Sequence, residues 1–432
     1  MATITAPTDQ LTRLTLDVLE TLFRGDPAAG ISVQLWDGTR WPDETPRPAT
    51  LVLKHPGALR AVLLPGTEVG LGEAYLYDDF DIEGDAEAIF ALADSFTRTA
   101  IDWRRKARAG ADLSRLPAGP RHPKVRRGPA RLGGRKHSIE RDRQAVTYHY
   151  NVSNDFYALW LDKRMVYSCA YFKRGEEDID TAQEQKLDHI CRKLRLEPGQ
   201  RLLDIGCGWG GLLIYAAQHY GVDATGITLS EPQASLANER IEAADLAHRC
   251  RVLVQDYREV PTEGAQTYDA LVSVGMFEHV GAAKLPGYFT QAWKLLKDGG
   301  VFLNHGIAAN ARTPTDGGPS FSDAYVFPDG ELVPINVTLH AAEEAGFEVR
   351  DVESLREHYA QTLRHWVHRL EAHHAEALQY VDEPTYRVWR LFMSGSAYGF
   401  SDGRLNLYQS LLAKPGPDGR SGLPWTRADW YA

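Results

Sequence analysis

Apolar residues recur with helical spacing near the start of the chain, at Leu11, Leu14, Leu16, Val18, Leu19 and Leu22, which predicts a helix over 11–23. Short strand-like runs follow at 31–36, ahead of Asp37-Gly38, at 50–53, and at 59–64, ahead of Pro65-Gly66. Residues 80–84 then lead into a helix expected over 85–96. This first stretch reads as a small α+β unit. Residues 116–134 are rich in Pro, Gly and Arg and poor in large apolar side chains, so a linker is expected there.

From about Leu187 the pattern changes to regular alternation. Strands are expected at 201–205, 224–229, 251–255, 270–274 and 301–306, with helices at 211–220, 232–244, 285–297 and 338–345. Sixth and seventh strands are expected at 347–354 and 405–412, separated by a Trp-, His- and Leu-rich helical insertion over 362–393. Repeated β-α alternation predicts an α/β fold, a largely parallel sheet covered on both faces. The expected domains are 1–102, a basic linker 103–145, and a catalytic domain 146–432 carrying a helical insertion at about 360–395.

The first chemical signal lies at the end of the first of these strands. Leu202-Leu203-Asp204-Ile205-Gly206-Cys207-Gly208-Trp209-Gly210-Gly211 is an apolar strand with an acid near its end, then a Gly-rich turn opening a helix. Gly206, Gly208 and Gly210 let the backbone turn sharply and approach a ligand closely. The spacing alone also suits dinucleotide folds. The second strand ends Gly226-Ile227-Thr228-Leu229-Ser230, without the acid that usually takes a ribose diol; Thr228 and Gln233 are the nearby polar candidates.

Composition adds bounds. The chain has 432 residues, 43% hydrophobic and 25% charged, the balance of a globular protein. No apolar run approaches the ~20 residues needed to span a bilayer, and the start lacks a basic-then-apolar leader pattern, so a cytoplasmic protein is expected. Cys169, Cys191, Cys207 and Cys250 form no CxxC pair, which suggests neither a zinc site nor a disulfide scaffold. Net charge is −10, yet the stretch 104–143 holds fourteen Lys or Arg against Asp112, Glu140 and Asp142. Such a block is either a solvated linker or a contact for an anionic surface, nucleic acid or lipid.

Several segments together resemble the cyclopropane fatty acid synthase family, which includes mycolic acid cyclopropane synthases and fatty acid methyl- or methylene-transferases. They are His149-Tyr150-Asn151-Val152-Ser153-Asn154-Asp155-Phe156-Tyr157, Met165-Val166-Tyr167-Ser168-Cys169-Ala170-Tyr171-Phe172, the glycine loop, and the end of the second strand. Ser273-Val274-Gly275-Met276-Phe277-Glu278-His279-Val280-Gly281 and Phe302-Leu303-Asn304-His305-Gly306-Ile307 complete the set. The family more often shows an acid at the position of Asn151. The resemblance implies a class I S-adenosylmethionine methyltransferase, Rossmann-like with a seven-stranded sheet, preceded by a smaller N-terminal α+β domain. It implies that Tyr167 and Ser168 touch the methionine end of the cofactor and that Asp204, Gly206, Gly208 and Gly210 form its loop. Thr228 and Gln233 would hold the ribose, and Asp256 and Tyr257 would flank the adenine. Cys169, Glu278, His305, Ile307 and Tyr359 match positions that cradle bicarbonate in the family, Cys and Ile mainly through backbone amides.

The implied reaction adds one carbon to the cis double bond of an unsaturated phospholipid acyl chain. Loss of a proton from the new methyl closes a cyclopropane; loss elsewhere leaves a methylene branch, which a partner reductase would convert to a 10-methyl chain. Resemblance of the N-terminal unit and of the C-terminal segment to actinobacterial members favours the branched product. Aromatic faces could stabilise a cation, with Tyr171, Phe172, Phe277 and Tyr359 as candidates. The basic block would then hold the protein peripherally on an anionic inner-membrane surface; a homodimer would suit such an arrangement. A nucleic-acid methyltransferase is the competing reading of the same block, but no base-reading module is evident, and no nucleic-acid partner is expected. Two plainer readings stand beside these. Cys169 suits a structural thiol better than a nucleophile, and the aromatic run 148–171 and helices 362–393 could be packing alone.

Overall fold

The computed structural model describes residues 7–23, 30–98, 102–120, 128–150, 152–262, 267–312 and 320–431. Asn151 and the basic residues Arg121, Lys124, Arg126 and Arg127 lie outside these ranges. The chain divides into two compact units: Met1–Pro129 with Gly318–Val326 and Val381–Tyr398, and Ala130–Gly317 with Phe327–Tyr380 and Gly399–Ala432.

The smaller unit holds a four-stranded mixed sheet of β1 (Ile31–Gln34), β2 (Arg40–Trp41), β3 (Ala49–Leu53) and β4 (Phe80–Gly84), in the order β2-β1-β3-β4. Only β1 and β3 run parallel. Helices Pro7–Phe23, Ala58–Leu63, Glu68–Leu76, Ala88–Arg98 and Trp103–Arg115 belong to the same unit. The run 59–64, expected as a strand, is therefore helical. Its apolar residues Ala58, Leu59 and Val62 fall on one buried helical face, and a six-residue apolar run does not distinguish the two periods. Part of the basic run is also helical, in Trp103–Arg115, where Trp103 is 71% exposed. Inside this unit Arg387 is buried and donates to the Tyr75 carbonyl at 2.9 Å and to Asp78 at 2.9 Å, while Arg390 donates to the Tyr75 hydroxyl at 2.8 Å.

The larger unit is built on β5 (Arg201–Ile205), β6 (Asp223–Thr228), β7 (Cys250–Val254), β8 (Tyr268–Val274), β9 (Leu296–Ala309), β10 (Glu348–Ser354) and β11 (Leu405–Ala413). Their order is β10-β11-β9-β8-β5-β6-β7, parallel except at β11, which runs antiparallel to both neighbours. Both faces are buried, with alternate residues packing to opposite sides. Leu202, Ala270 and Val272 join one core cluster, whereas Leu203, Leu271 and Phe302 join the other. This is an α/β doubly wound sheet with seven strands, as expected. β9 starts at Leu296, before the expected 301, because the four residues that follow Leu296, Lys297-Asp298-Gly299-Gly300, carry no apolar signal. Helices Arg356–Ala372, His374–Ala377 and Glu383–Ser401 occupy the region expected as an insertion.

Strand order locates the site. From β5 the chain winds outward through β6 and β7, then returns to lay β8 and β9 on the other side. Adjacent connections leave in opposite directions there, opening a crevice beyond the carboxyl ends of β5 and β8.

Candidate active site

The crevice is a cavity lined from five directions. The β5 loop supplies Asp204, Ile205, Gly206, Cys207 and Gly208; the end of β6 supplies Thr228, Leu229 and Gln233; Gln255, Asp256, Tyr257 and Arg258 follow β7. Val274, Gly275, Met276 and His279 follow β8, and Asp142, Tyr150, Tyr167, Ser168 and Lys186 complete the wall. Every residue expected at the cofactor lines this cavity except Gly210, which instead precedes the helix Gly211–Tyr220 with φ +76° and packs against Ala237.

The loop conformation follows from its glycines. Gly206 and Gly208 have φ of +85° and +54°, where a side chain is disfavoured. The amides of Gly206 and Cys207 both donate to the Ile227 carbonyl, at 2.9 and 3.0 Å, which ties the loop to β6. A Cβ on Gly208 would meet nothing within 4 Å, so the backbone there faces open space. At β6, Thr228 donates from Oγ1 to Gln233 Oε1 at 2.8 Å, and Ser230 caps the next helix by accepting from the Gln233 amide. Beyond β7, Asp256 accepts from Arg258 through Nε and Nη2, both at 2.7 Å, and Arg258 reaches on to Asp142 at 2.8 Å. That bridge straps the helix Ile139–Tyr150 across the cavity. Sequence reasoning had no signal for Arg258, because its partner Asp142 is 116 residues away.

Tyr167 reaches the cavity from an aromatic box, with ring centroids 5.4 Å from Trp160, 5.6 Å from Tyr157 and 5.2 Å from Trp366. Phe156, Tyr157 and Trp160 are themselves fully buried, so part of the aromatic run is core and part is site.

The five residues expected at a bicarbonate ion do not line the cavity, but four of them are linked. Glu278 accepts from the Ile307 amide at 2.8 Å. Its other carboxylate oxygen is buried without a hydrogen-bond partner, and burial pushes its pKa up to about 7. Tyr359 packs on Phe400 at 4.7 Å; Cys169, Glu278 and Tyr150 are close enough to act on its phenol, which burial raises well above its ordinary value. Cys169 is fully buried with its thiol facing the Ala170 and Leu355 carbonyls, and burial pushes it up, which keeps it protonated. His305 lies two residues before Ile307 on β9. Its Nδ1 faces Gln409 Nε2 at 3.2 Å, its Nε2 is buried without a partner, and burial with Lys186 and Lys193 nearby holds it neutral. Of the polar atoms in this set, the Ile307 amide is taken by Glu278, whereas Glu278 Oε2 and His305 Nε2 are buried without a partner. Of the four aromatic residues considered for a cation, Tyr359 belongs to this cluster and Phe277 directly precedes Glu278. Tyr171 and Phe172 are instead engaged with His358, at 4.9 and 6.2 Å.

A seven-stranded doubly wound sheet with β11 antiparallel between β10 and β9, and an acid-bearing glycine loop at its switch point, is the architecture expected of a class I methyltransferase, and comparison with known proteins establishes that class. Residues 137–410 match the family described as mycolic acid cyclopropane synthetase. A protein of Pseudomonas putida named "Probable fatty acid methyltransferase" is 41% identical over 405 residues, covering 93% of this chain and 96% of that one. The cyclopropane-fatty-acyl-phospholipid synthase of Escherichia coli K12 is 32% identical over 370 residues, covering 85% and 88%. The crystal structure of mycolic acid cyclopropane synthase CmaA1 with S-adenosylhomocysteine and CTAB superposes with a TM-score of 0.59 at 32% identity, over 62% of this chain and 97% of that one. The chain belongs to the mycolic acid cyclopropane synthetase family and is an S-adenosylmethionine-dependent methyltransferase.

The cavity fits that cofactor: glycines without Cβ where a ligand must approach, polar groups at both ends, and a buried Asp204 oxygen left without a partner. Arg258→Met should weaken S-adenosylmethionine binding about tenfold by calorimetry, because Asp256 loses the charge-assisted bonds that orient it. An unchanged Kd would show that the bridge to Asp142 serves only folding.

Proposed function

We propose that the protein transfers a one-carbon unit from S-adenosylmethionine to the cis double bond of unsaturated phospholipid acyl chains, giving a methylene- or methyl-branched chain of the 10-methyl type. The observation that carries the chemistry is the buried Glu278 carboxylate, poised near neutrality among Tyr150, Cys169 and Tyr359. When bound, S-adenosylmethionine supplies an electrophilic methyl group. Tyr167, Ser168, Asp204, Gly206 and Gly208 would hold its amino-acid end, Thr228 and Gln233 its ribose, and Asp256 and Tyr257 its base. Addition of a methyl to an alkene leaves a positive charge on the acyl chain, and a proton must then leave. A base with pKa near 7 suits that step, and Glu278 is the chain's own candidate. Phe277 and Tyr359 would present aromatic faces to the cation and keep water from it.

The name of the Pseudomonas relative supports a fatty acyl acceptor and a methyl product. The Escherichia relative's name supports the alternative, a cyclopropane. No helix among the described residues is long and apolar enough to cross a membrane. The exposed Trp103 beside Arg104, Arg105 and Lys106 supports peripheral binding to anionic lipid by the N-terminal unit and the basic run.

The test is incubation with S-adenosylmethionine and oleoyl phospholipid vesicles, with and without bicarbonate, followed by mass spectrometry of the released fatty acids. A gain of about one CH₂ with a retained alkene is expected. The same gain with a saturated ring would establish the cyclopropane instead. No gain on any unsaturated lipid, with cofactor binding intact, would defeat the lipid reading. A methylene product would also require a separate reductase to reach the methyl chain.

A further inference from the structure

Lys186 is a buried charge without a close ion pair, and the buried carboxylates of Asp162 and Asp204 act on it only from a distance. It lies on the helix Ile179–Lys193 with 1% exposure, yet its side chain reaches the cofactor cavity. Its Nζ donates to Ser168 Oγ at 2.9 Å. Among the described residues no carboxylate lies within 4.0 Å of it. An ammonium has three protons to donate, and leaving it in a dry site with one neutral acceptor is costly. Burial accordingly lowers its pKa to about 8.

Asp204 lines the same cavity. Asp204 is 2% exposed, one of its oxygens has no partner, and burial raises its pKa to about 7. Lys186 and Asp204 thus face one cavity and act on each other electrostatically without forming a close ion pair. One turn before Lys186, Gln183 donates to the Val166 and Ser168 carbonyls at 3.3 and 2.8 Å. The helix therefore fixes the Tyr167-Ser168 segment and presents Lys186 beside it. Thr228, Gln233 and Tyr257 lie on the β6 and β7 walls of the cavity. A separated cation and anion is the pattern that an amino-acid zwitterion complements.

We propose that Lys186 is a cofactor-binding residue that takes the α-carboxylate of S-adenosylmethionine, opposite the Asp204 carboxylate on the α-ammonium side. This rests on the reading of the cavity as the cofactor site. The carboxylate completes the ammonium's solvation, and Ser168 holds the ammonium in place until it arrives.

Decarboxylated S-adenosylmethionine keeps the sulfonium, the amine and the nucleoside and lacks only the carboxylate, so it isolates the contact. Both ligands are titrated calorimetrically into the full-length wild type and Lys186→Met. The wild type should prefer S-adenosylmethionine by about 10–100-fold, the range of a charge-assisted bond to a buried partner. Lys186→Met should lose that preference while its affinity for the decarboxylated ligand stays within about threefold. Equal affinities in the wild type would overturn the proposal without any variant being needed. So would equal losses of both ligands in a Lys186→Met protein with an unchanged melting temperature, since Lys186 would then only shape the Ser168 segment. A wild type that binds neither ligand would instead defeat the cofactor reading of the cavity.

Discussion

Glu278→Gln is expected to abolish turnover and, at pH 8, to raise the melting temperature. The carboxylate is 8% exposed, with one oxygen bound to the Ile307 amide and the other unpartnered. Its folded-state pKa of about 7 lies above the ordinary 4.5, with burial as the cause. Between those values the folded state holds a proton that the unfolded state has released, so the contribution of Glu278 to stability falls as pH rises. Above pH 7 the buried group is charged and its cost is complete; below about 4.5 both states are protonated and the cost vanishes. Glutamine keeps the acceptor for Ile307 and removes the charge, at the expense of placing an amide N–H₂ where the free oxygen was. The net gain at pH 8 should be about 1–2 kcal/mol, less than the full shift implies because that amide lacks a partner. Turnover should fall about 10³-fold or more if Glu278 takes the departing proton. Melting curves at pH 5 and pH 8 test the first part: a gain of equal size at both would show that the carboxylate is not the destabilising group. Turnover within a few-fold of wild type would remove Glu278 from the proton transfer.

The parts of the molecule that can be read from sequence are those where local spacing decides the structure. The β-α alternation of the larger unit was legible because strand and helix periods are long there and glycine turns separate them. Helix Gly211–Tyr220 has the expected bounds, and β11 differs by one residue at its end. The short elements of the smaller unit carry less periodic information, and the six apolar-rich residues of the helix Ala58–Leu63 fit a strand pattern as well as a helical one. The glycine loop was legible because backbone geometry demands particular residues at fixed spacing. Lys186, Arg258 and Asp142 were not, because tertiary packing rather than local spacing brings them to the cavity. Lys186 did leave a trace. Gln183, Lys186 and Lys193 occupy the same buried helical stripe as Leu187 and Ile190, and polar residues in a core stripe mark a site or a buried network. Lys193 belongs to the second kind, paired with Asp351 and Glu353 at 3.4 and 2.6 Å.

The glycine loop provides the other large effect. Gly206→Ala should destabilise the protein by about 2–4 kcal/mol and lower S-adenosylmethionine affinity about 100-fold, whereas Gly208→Ala should cost only about 1 kcal/mol of stability. Both positions have positive φ, so both pay for a left-handed backbone. They differ in what the new methyl meets. At Gly206 it would fall 2.6 Å from Met276 Cβ, a distance that real side chains do not tolerate; at Gly208 it would meet nothing within 4 Å. Met276 Cβ is fixed to the backbone and cannot swing away as a side-chain tip would. Relief requires moving the segment that follows β8, which carries Glu278 two residues later. Alternatively the loop itself must shift and loosen the paired amide bonds from Gly206 and Cys207 to Ile227. Either movement displaces one wall of the cofactor cavity, since Gly206 and Met276 both line it. Gly206→Ala should therefore lose turnover beyond what its weaker cofactor binding explains, even at saturating S-adenosylmethionine. Full recovery of kcat at saturation would show that the glycine loop and the Glu278 segment move independently, and that Gly206 serves cofactor binding alone.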